Sequence, residues 1–229
     1  MTVERLRGLI VSIQPEAGSV LNSPETVALL ARCAVANGAA GVRIEGEARI
    51  AAVRRAVDVP IVGLVKRSYP GFEPYITPSE AEIDQVAGAG AGVIAFDATA
   101  RQRPAGLTVA AAIATIRRRG ALAMADCATA AEMLAASAAG ADLVATTLCG
   151  YTGDTRGAVL PAVDVLAVAR AGSTFLVLEG GVASPDDVRR GFGAGADAVV
   201  VGTAISNVDA LVRRFAQAAQ TGRAYPMRP

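Results

Sequence analysis

Residues 41–66 read GVRIEGEARIAAVRRAVDVPIVGLVK, and their pattern of apolar and charged residues identifies the type of sheet. One short apolar run begins at Gly41 and a second begins at Pro60, with a helix-like segment between them. Runs that are apolar throughout, without alternation, are typical of parallel strands covered on both faces of their sheet. The stretch therefore predicts a strand, a helix and a second parallel strand that ends at Lys66.

The same alternation recurs along the whole chain, at intervals of about 27 residues. The other apolar runs are GLIVSI from Gly8, GVIAF from Gly92, ALAMA from Ala121, DLVATTL from Asp142, TFLVL from Thr174 and AVVVG from Ala198. Eight units of this size match a (β/α)8 TIM barrel. An open doubly wound sheet would use fewer strands and a Gly-x-Gly-x-x-Gly turn after the first strand, which the chain lacks. We expect residues 1–229 to form a single (β/α)8 barrel domain.

Serine or threonine followed by proline marks the expected helix starts. Ser23-Pro24, Thr77-Pro78 and Ser184-Pro185 each place a capping side chain before a proline, which is favoured at the first helical position.

The composition excludes several classes of function. The chain has no histidine, which removes Ser-His-Asp and Cys-His nucleophile systems, imidazole bases, and zinc or iron sites built on histidine. A net charge of +1 and 4% aromatic residues argue against a nucleic-acid partner. No apolar run approaches the roughly 18 residues of a membrane span. Acid–base chemistry must therefore use Lys, Asp, Glu, Cys or Tyr.

Three widely spaced cysteines, Cys33, Cys127 and Cys149, form no Cys-x-x-Cys pair and are typical of a reducing compartment. The apolar run Gly8–Ile13 is too short for the core of a signal peptide. We expect a cytoplasmic protein with free thiols. Without histidine, nothing obvious activates Cys127 or Cys149 as a nucleophile.

Catalytic groups of this barrel type come from the C-terminal ends of the strands, so the first polar residue after each apolar run is a candidate. Seven such ends, with both signs of charge, predict a polar site at one mouth of the barrel, although any single one could be a solvated loop residue. Asp97 and Asp126 could share a divalent metal, but without a clustered carboxylate motif we expect hydrogen bonding to substrate and no metal. The candidates are Gln14, Arg43, Glu45, Lys66, Arg67, Asp97, Asp126, Thr146, Thr147, Glu179, Gly202 and Thr203.

Lys66 is the sharpest candidate, because it follows its strand directly. A lysine held at the mouth beside Arg43 and partly desolvated is expected to have a lowered pKa. It could act as a base for a proton next to a carbonyl, or as the amine of a Schiff base. The alternative is a lysine that only pairs with Glu45 or Asp126.

Glu179 closes another apolar strand and precedes two glycines. It could be a second acid–base group, or a carboxylate that only orients Lys66 or a substrate hydroxyl. The turns Gly180-Gly181 and Gly202-Thr203 follow the seventh and eighth strands, where barrels of this class often bind phosphate through backbone N–H groups. Glycines that only form tight turns are the alternative.

The connection Arg67–Thr77 is longer than a normal strand-to-helix loop and contains Tyr69, Phe72 and Tyr75. Such loops are often lids or parts of a substrate wall, and an aromatic cluster that packs on a helix is equally plausible.

Taken in order, the strand ends resemble the N-acetylmannosamine-6-phosphate 2-epimerase family of bacterial amino-sugar and sialic-acid catabolism, from about Gly8 to Ile205. The most specific motifs are VRIEG from Val42, KRSYP from Lys66 and MADC from Met124. They occur with GLIVSIQP, YITPS, IAFDAT, TTLCGYT, LEGG and VVVGTAI.

The resemblance implies a cofactor-independent (β/α)8 epimerase that interconverts N-acetylmannosamine 6-phosphate and N-acetylglucosamine 6-phosphate. It makes Lys66 the base at C2 and Glu179 its acid–base or hydroxyl-positioning partner. It also assigns further residues to the sugar and the phosphate, and implies a homodimer, for which the apolar stretch Val208–Ala219 could serve. The sugar residues are Gln14, Arg43 and Asp126, and the phosphate residues are Gly180, Gly181, Gly202 and Thr203.

One departure concerns the phosphate. Family members often read Ala-Ile-Thr-Arg after the eighth strand, whereas residues 204–207 of this chain read Ala-Ile-Ser-Asn, ending at Asn207. A lost arginine contact would remove a charge-assisted hydrogen bond of roughly 1.5–3 kcal/mol. Arg213 or Arg214 could replace it if the last helix turns one of them inward. Weaker phosphate binding or a shifted substrate preference would follow otherwise.

Two other functions stay open on the sequence. One is a Schiff-base lyase or aldolase that uses Lys66 on a sugar phosphate. The other is a sugar-phosphate-binding barrel without turnover, which the missing arginine suggests.

Overall fold

The computed structural model describes residues 2–172 and 174–222, and its centre is a closed barrel of eight parallel strands. Each strand pairs with its two neighbours in the chain, and the eighth returns to the first. The predicted (β/α)8 architecture is confirmed. The strands are β1 Gly8–Ile13, β2 Gly41–Glu45, β3 Ile61–Leu64, β4 Val93–Asp97, β5 Leu122–Asp126, β6 Leu143–Ala145, β7 Phe175–Leu178 and β8 Ala198–Val201.

Helices alternate with the strands and surround them. They are α1 Pro24–Ala36, α2 Glu47–Arg54, α3 Glu80–Gly88, α4 Val109–Arg118, α5 Ala130–Ala138, α6 Val163–Ala169, α7 Pro185–Gly193, α8 Thr203–Ser206 and α9 Val208–Gly222. Within the described ranges, no helix combines the length and the hydropathy needed to cross a bilayer.

The apolar runs form two layers of core, which explains why they do not alternate. Side chains such as Ile10, Val62 and Met124 fill the barrel interior. Their neighbours, such as Val11 and Ile44, pack outward beneath the helices. Both faces of each strand are therefore covered, as expected for a parallel sheet.

Two of the three predicted helix starts are confirmed. Ser23 and Ser184 cap α1 and α7, each accepting a backbone N–H within the first turn. The third start lies two residues later than predicted, because Ser79, and not Thr77, caps α3. Thr77 is engaged instead with the end of β3, where its backbone N–H donates to the Val65 carbonyl.

Candidate active site

An open cavity of about 1080 Å³ occupies the end of the barrel where the strands terminate. It brings together most of the side chains and glycines that the sequence assigned to a site. Those lining it are Gln14, Arg43, Lys66, Thr147, Glu179, Gly180, Gly181, Gly202 and Thr203.

Arg43 is the centre of the charged cluster and is 1% exposed. Its two Nη atoms donate to the two carboxylate oxygens of Asp126, at 3.1 and 2.7 Å, and Nη1 also donates to Glu179 Oε2 at 2.8 Å. Burial opposes the charged form of Arg43, but the two carboxylates outweigh it and raise its pKa. Arg43 therefore stays cationic and fixes the positions of both carboxyl groups.

The carboxyl group of Glu179 has a pKa close to neutral pH. Burial raises its pKa to about 7, against the opposing effect of Arg43. Its backbone is fixed from β6, because Thr146 Oγ1 donates to the Glu179 carbonyl at 2.8 Å and accepts from the Glu179 N–H at 3.0 Å. Among the described residues, Oε1 of Glu179 makes no hydrogen bond, so this oxygen is available to a substrate.

Lys66 reaches the cavity from just beyond β3, and it is the only lysine in the chain. Burial and then the charge of Arg43 lower the pKa of its ammonium group. Within residues 2–172 and 174–222 this group forms no ion pair or hydrogen bond. Glu45 pairs with Arg49 and Asp126 pairs with Arg43, so the alternative in which Lys66 only pairs with Glu45 or Asp126 is wrong.

Asp126 belongs to the cluster but lies behind the cavity wall. Its side chain is 0% exposed and is held by Arg43 and by the Thr147 hydroxyl, whose Oγ1 lies 2.7 Å from Asp126 Oδ1. The same hydroxyl lies 3.1 Å from Glu179 Oε2. The structure places Asp126 against Arg43 and Thr147, and its predicted contact with the sugar stays a prediction.

The two glycine turns border the cavity, as the sequence predicted. Gly180 and Gly181 have φ values of 98° and 71°, a region that favours glycine. Gly202 has φ −109° and precedes Thr203, the first residue of α8. A Cβ atom at Gly202 would lie 3.4 Å from Cβ of Ser12, which is an ordinary contact.

The two arginines of α9 point in different directions. Arg213 pairs with Glu16 on the surface, whereas Arg214 lines the cavity. Within the described part of the chain, Arg214 has no ion-pair partner. Asn207, which stands at the position of the family arginine, also lines the cavity, and its Oδ1 accepts from the Ala210 N–H. The condition stated from the sequence, that α9 turns one arginine inward, is met by Arg214.

Gln14 lines the cavity just beyond the end of β1. Its Nε2 donates to Ser12 Oγ at 2.8 Å, and Ser206 Oγ donates to the Ser12 carbonyl at 2.5 Å. The polar residue Ser12 was missed in the sequence because it lies within an apolar run.

Several candidates lie elsewhere. Asp97 is fully buried, and its carboxylate is held by Thr99 and by Arg101, which donates at 2.7 Å.

Burial raises the pKa of the thiols of Cys127 and Cys149, which makes both poor nucleophiles. In the described residues, no group of three or more His, Cys, Asp or Glu side chains could hold a metal ion.

The long loop after β3 borders the cavity at one end and contacts α3 through Tyr69. Tyr75 and Ile76 line the cavity, whereas the Tyr69 hydroxyl donates to Glu82 of α3 at 2.9 Å. Tyr75 was named only as a loop aromatic, and its place beside Lys66 depends on how the loop folds back.

A family model described as "Putative N-acetylmannosamine-6-phosphate epimerase" (NanE) matches residues 27–221. A relative from Thermosynechococcus vestitus, described as "Putative N-acetylmannosamine-6-phosphate 2-epimerase", is 46% identical over 213 residues, which cover 92% of each chain. A "Bifunctional enzyme NanE/NanK" from Brucella melitensis is 42% identical over 96% of this chain, and the chain spans only 42% of that relative's length.

A solved structure of similar fold belongs to a protein of the same description. The solved structure of the N-acetylmannosamine-6-phosphate 2-epimerase from Clostridium perfringens superposes with a TM-score of 0.90 and 32% sequence identity. The superposition covers 94% of this chain and 95% of the other.

Proposed function

The chain belongs to the N-acetylmannosamine-6-phosphate epimerase family, and we propose from this premise that it interconverts N-acetylmannosamine 6-phosphate and N-acetylglucosamine 6-phosphate. The observation that carries the proposal is Lys66, an unpaired amine of lowered pKa on the wall of a cavity that also contains Glu179. The chain's own residues supply the acid–base chemistry.

The reaction begins with an open-chain sugar, because the hydrogen at C2 is acidic only beside the C1 aldehyde. Neutral Lys66 takes this proton and becomes an ammonium group next to the enolate. The positive charges of Lys66 and Arg43 stabilise the enolate oxygen electrostatically. Return of a proton to the opposite face of C2 completes the inversion.

Glu179 is the partner of Lys66 in this proposal. With a pKa of about 7, its carboxyl group is protonated in some molecules and ionised in others near neutral pH. Its Oε1 can therefore exchange a proton or a hydrogen bond with the substrate while Oε2 stays on Arg43. We assign Asp126 a positioning role behind Arg43, in place of a direct sugar contact.

The phosphate group is assigned to the side of the cavity formed by the two glycine turns. Gly180, Gly181, Gly202 and Thr203 expose backbone there, and glycine permits close approach of an anion to backbone N–H groups. Arg214 offers a cation from α9 to the same cavity. This arginine argues against a barrel that has lost its phosphate contact. An unpaired lysine of lowered pKa would also suit a Schiff base, but the matching family and relatives are described as epimerases, which favours proton abstraction.

The test is direct conversion. Purified protein is incubated with N-acetylmannosamine 6-phosphate, and the products are separated and identified by NMR, with unphosphorylated N-acetylmannosamine in parallel. We expect N-acetylglucosamine 6-phosphate to form, and much faster conversion of the phosphorylated sugar. Folded protein that converts neither sugar would contradict the proposal, and a substrate adduct trapped by borohydride would favour the lyase.

We also propose that the protein is cytoplasmic and that it forms a homodimer through α9. The helix exposes Val208, Val212 and Phe215, which are 46%, 60% and 73% exposed and recur on one face. Burial of such a face is favourable in proportion to its apolar area. Sedimentation of the wild type and of Val212→Glu tests the dimer. The three free cysteines support a reducing compartment.

A further inference from the structure

Beyond the ends of β3 and β4, the residues Tyr75–Thr77 form a short wedge between the two strands. The strands themselves pair at only two positions, Val62 with Val93 and Gly63 with Ile94, so the last residues of β4 have no partner on β3. Past this point Ile76 forms an antiparallel bridge with Lys66, and its carbonyl accepts from the Asp97 N–H at 2.9 Å. The wedge therefore continues the sheet at the place where Lys66 leaves β3.

Thr77 binds both backbone polar groups of Val65, the residue before Lys66. The Thr77 N–H donates to the Val65 carbonyl at 2.7 Å, and the Val65 N–H donates to Thr77 Oγ1 at 3.3 Å. On the other side of Lys66, the Arg67 N–H donates to the Tyr75 carbonyl at 2.9 Å. The backbone on both sides of Lys66 is thus fixed by the wedge.

The conformation of Thr77 is unusual for its residue type. It is 0% exposed and has φ 42°, in the left-handed region that β-branched residues rarely occupy. Strain of this kind persists where the surrounding contacts determine the backbone, and it clusters at functional sites. Here the contacts are the two hydrogen bonds to Val65.

We propose that Thr77 is a positioning residue for Lys66: it fixes the backbone at Val65 so that the amine enters the cavity beside Arg43 and Glu179. This inference rests on the proposed function for its catalytic consequence. Thr77 lies outside the cavity lining, so it acts through Lys66 and not on the substrate.

The environment of Lys66 provides a readout that needs no substrate. Burial and Arg43 lower its pKa, whereas Glu45, Glu179 and Asp126 oppose them. A lysine released toward solvent loses burial and moves away from Arg43, so its pKa rises toward the ordinary value of 10.5. Because Lys66 is the only lysine, a protein labelled with 15N-lysine gives a single side-chain resonance to titrate.

The experiment compares Thr77→Val, which keeps the shape and removes the hydroxyl, with Thr77→Ser, which keeps the hydroxyl. Thr77→Gly accepts the left-handed backbone without strain and also lacks the hydroxyl, so it carries the test if Thr77→Val does not fold. Thr115→Val is the matched control, because Thr115 is equally buried and its hydroxyl donates to Glu80 at 3.2 Å, away from the cavity.

We expect Thr77→Val and Thr77→Gly to raise the pKa of Lys66 and to lower kcat at least tenfold, with KM changed less than twofold. Thr77→Ser and Thr115→Val should keep both values close to wild type. A folded Thr77→Val or Thr77→Gly protein with the wild-type Lys66 titration and kcat would overturn the inference. Wild-type protein that converts no sugar would instead remove the proposed function, whereas the Lys66 titration would still report on the wedge.

Discussion

The guanidinium group of Arg43 donates to both carboxylate oxygens of Asp126, and neither side chain of this pair is more than 2% exposed. The pair joins β2 to β5 across the barrel, and Glu179 completes it from the end of β7. Removal of two charges from water is costly, and paired geometry compensates for that cost. Arg43 therefore holds Asp126 and Glu179 in fixed positions relative to each other.

Substitution of Asp126 by alanine should destabilise the fold strongly, because Arg43 would stay buried with one carboxylate partner fewer. We expect a loss of roughly 3–5 kcal/mol in the free energy of unfolding, measured in urea. Asp84→Ala is the control, since Asp84 pairs with Arg119 on the surface and its loss should change stability very little. Equal effects of the two substitutions would contradict this assignment.

Glu179 predicts a particular dependence of stability on pH. Its pKa is about 7 in the folded protein and 4.5 as its ordinary value, so between these the folded state holds more protons than the unfolded state. The free energy of unfolding contributed by this group must then fall as the pH rises from about 4.5 to about 7. Glu179→Gln should flatten the decline seen in urea titrations across this range. An unchanged slope would show that Glu179 is not the group concerned.

Arg214 should recognise the phosphate, because it lines the cavity and has no ion-pair partner among the described residues. Arg214→Gln is expected to raise KM for N-acetylmannosamine 6-phosphate about tenfold, the equivalent of one charge-assisted hydrogen bond. Arg213→Gln changes the neighbouring residue, which pairs with Glu16, and should leave KM unchanged. Similar KM values for both variants would exclude the contact.

The turn after β7 should not tolerate a side chain at Gly181. A Cβ atom there would lie 2.4 Å from Cβ of Leu160, and φ is 71°. Gly71 provides the comparison, since its φ is 82° but a Cβ atom would meet nothing within 4 Å. Both alanine substitutions should lower the free energy of unfolding by about 1–2 kcal/mol, because alanine disfavours the left-handed backbone. Gly181→Ala should lower it further, and thermal unfolding of the two variants measures the difference. Equal losses would mean that the turn repacks freely.

The fold could be predicted from the sequence because each strand is buried on both faces and so appears as an uninterrupted apolar run. GLIVSI from Gly8 coincides with β1. The run from Asp142 is the least accurate, since β6 ends at Ala145 and the chain turns at Thr146, whose side chain binds the backbone of Glu179. The quoted run includes Leu148 beyond this turn, although Thr146 and Thr147 already mark the strand end as its first polar residues.

The site was predictable where function depends on strand ends, and not where it depends on contacts between distant loops. The positions of Lys66 and Glu179 on the cavity wall could be predicted, because each stands at or just beyond the end of its strand. The position of Asp126 behind Arg43 depends on a contact between residues 83 positions apart. The role of Thr77 depends on a loop that folds back between two strands, and its Ser/Thr-Pro pattern indicated a helix cap instead.

The most direct test of this account is solvent deuterium at C2 of N-acetylmannosamine 6-phosphate, measured by NMR in D₂O for wild type, Lys66→Ala and Lys66→Arg. Arginine keeps the positive charge but does not release its proton, so it separates charge from basicity. We predict exchange in the wild type and none above background in either variant, with both variants folded. Exchange that persists in Lys66→Ala would contradict the assignment of Lys66 as the base.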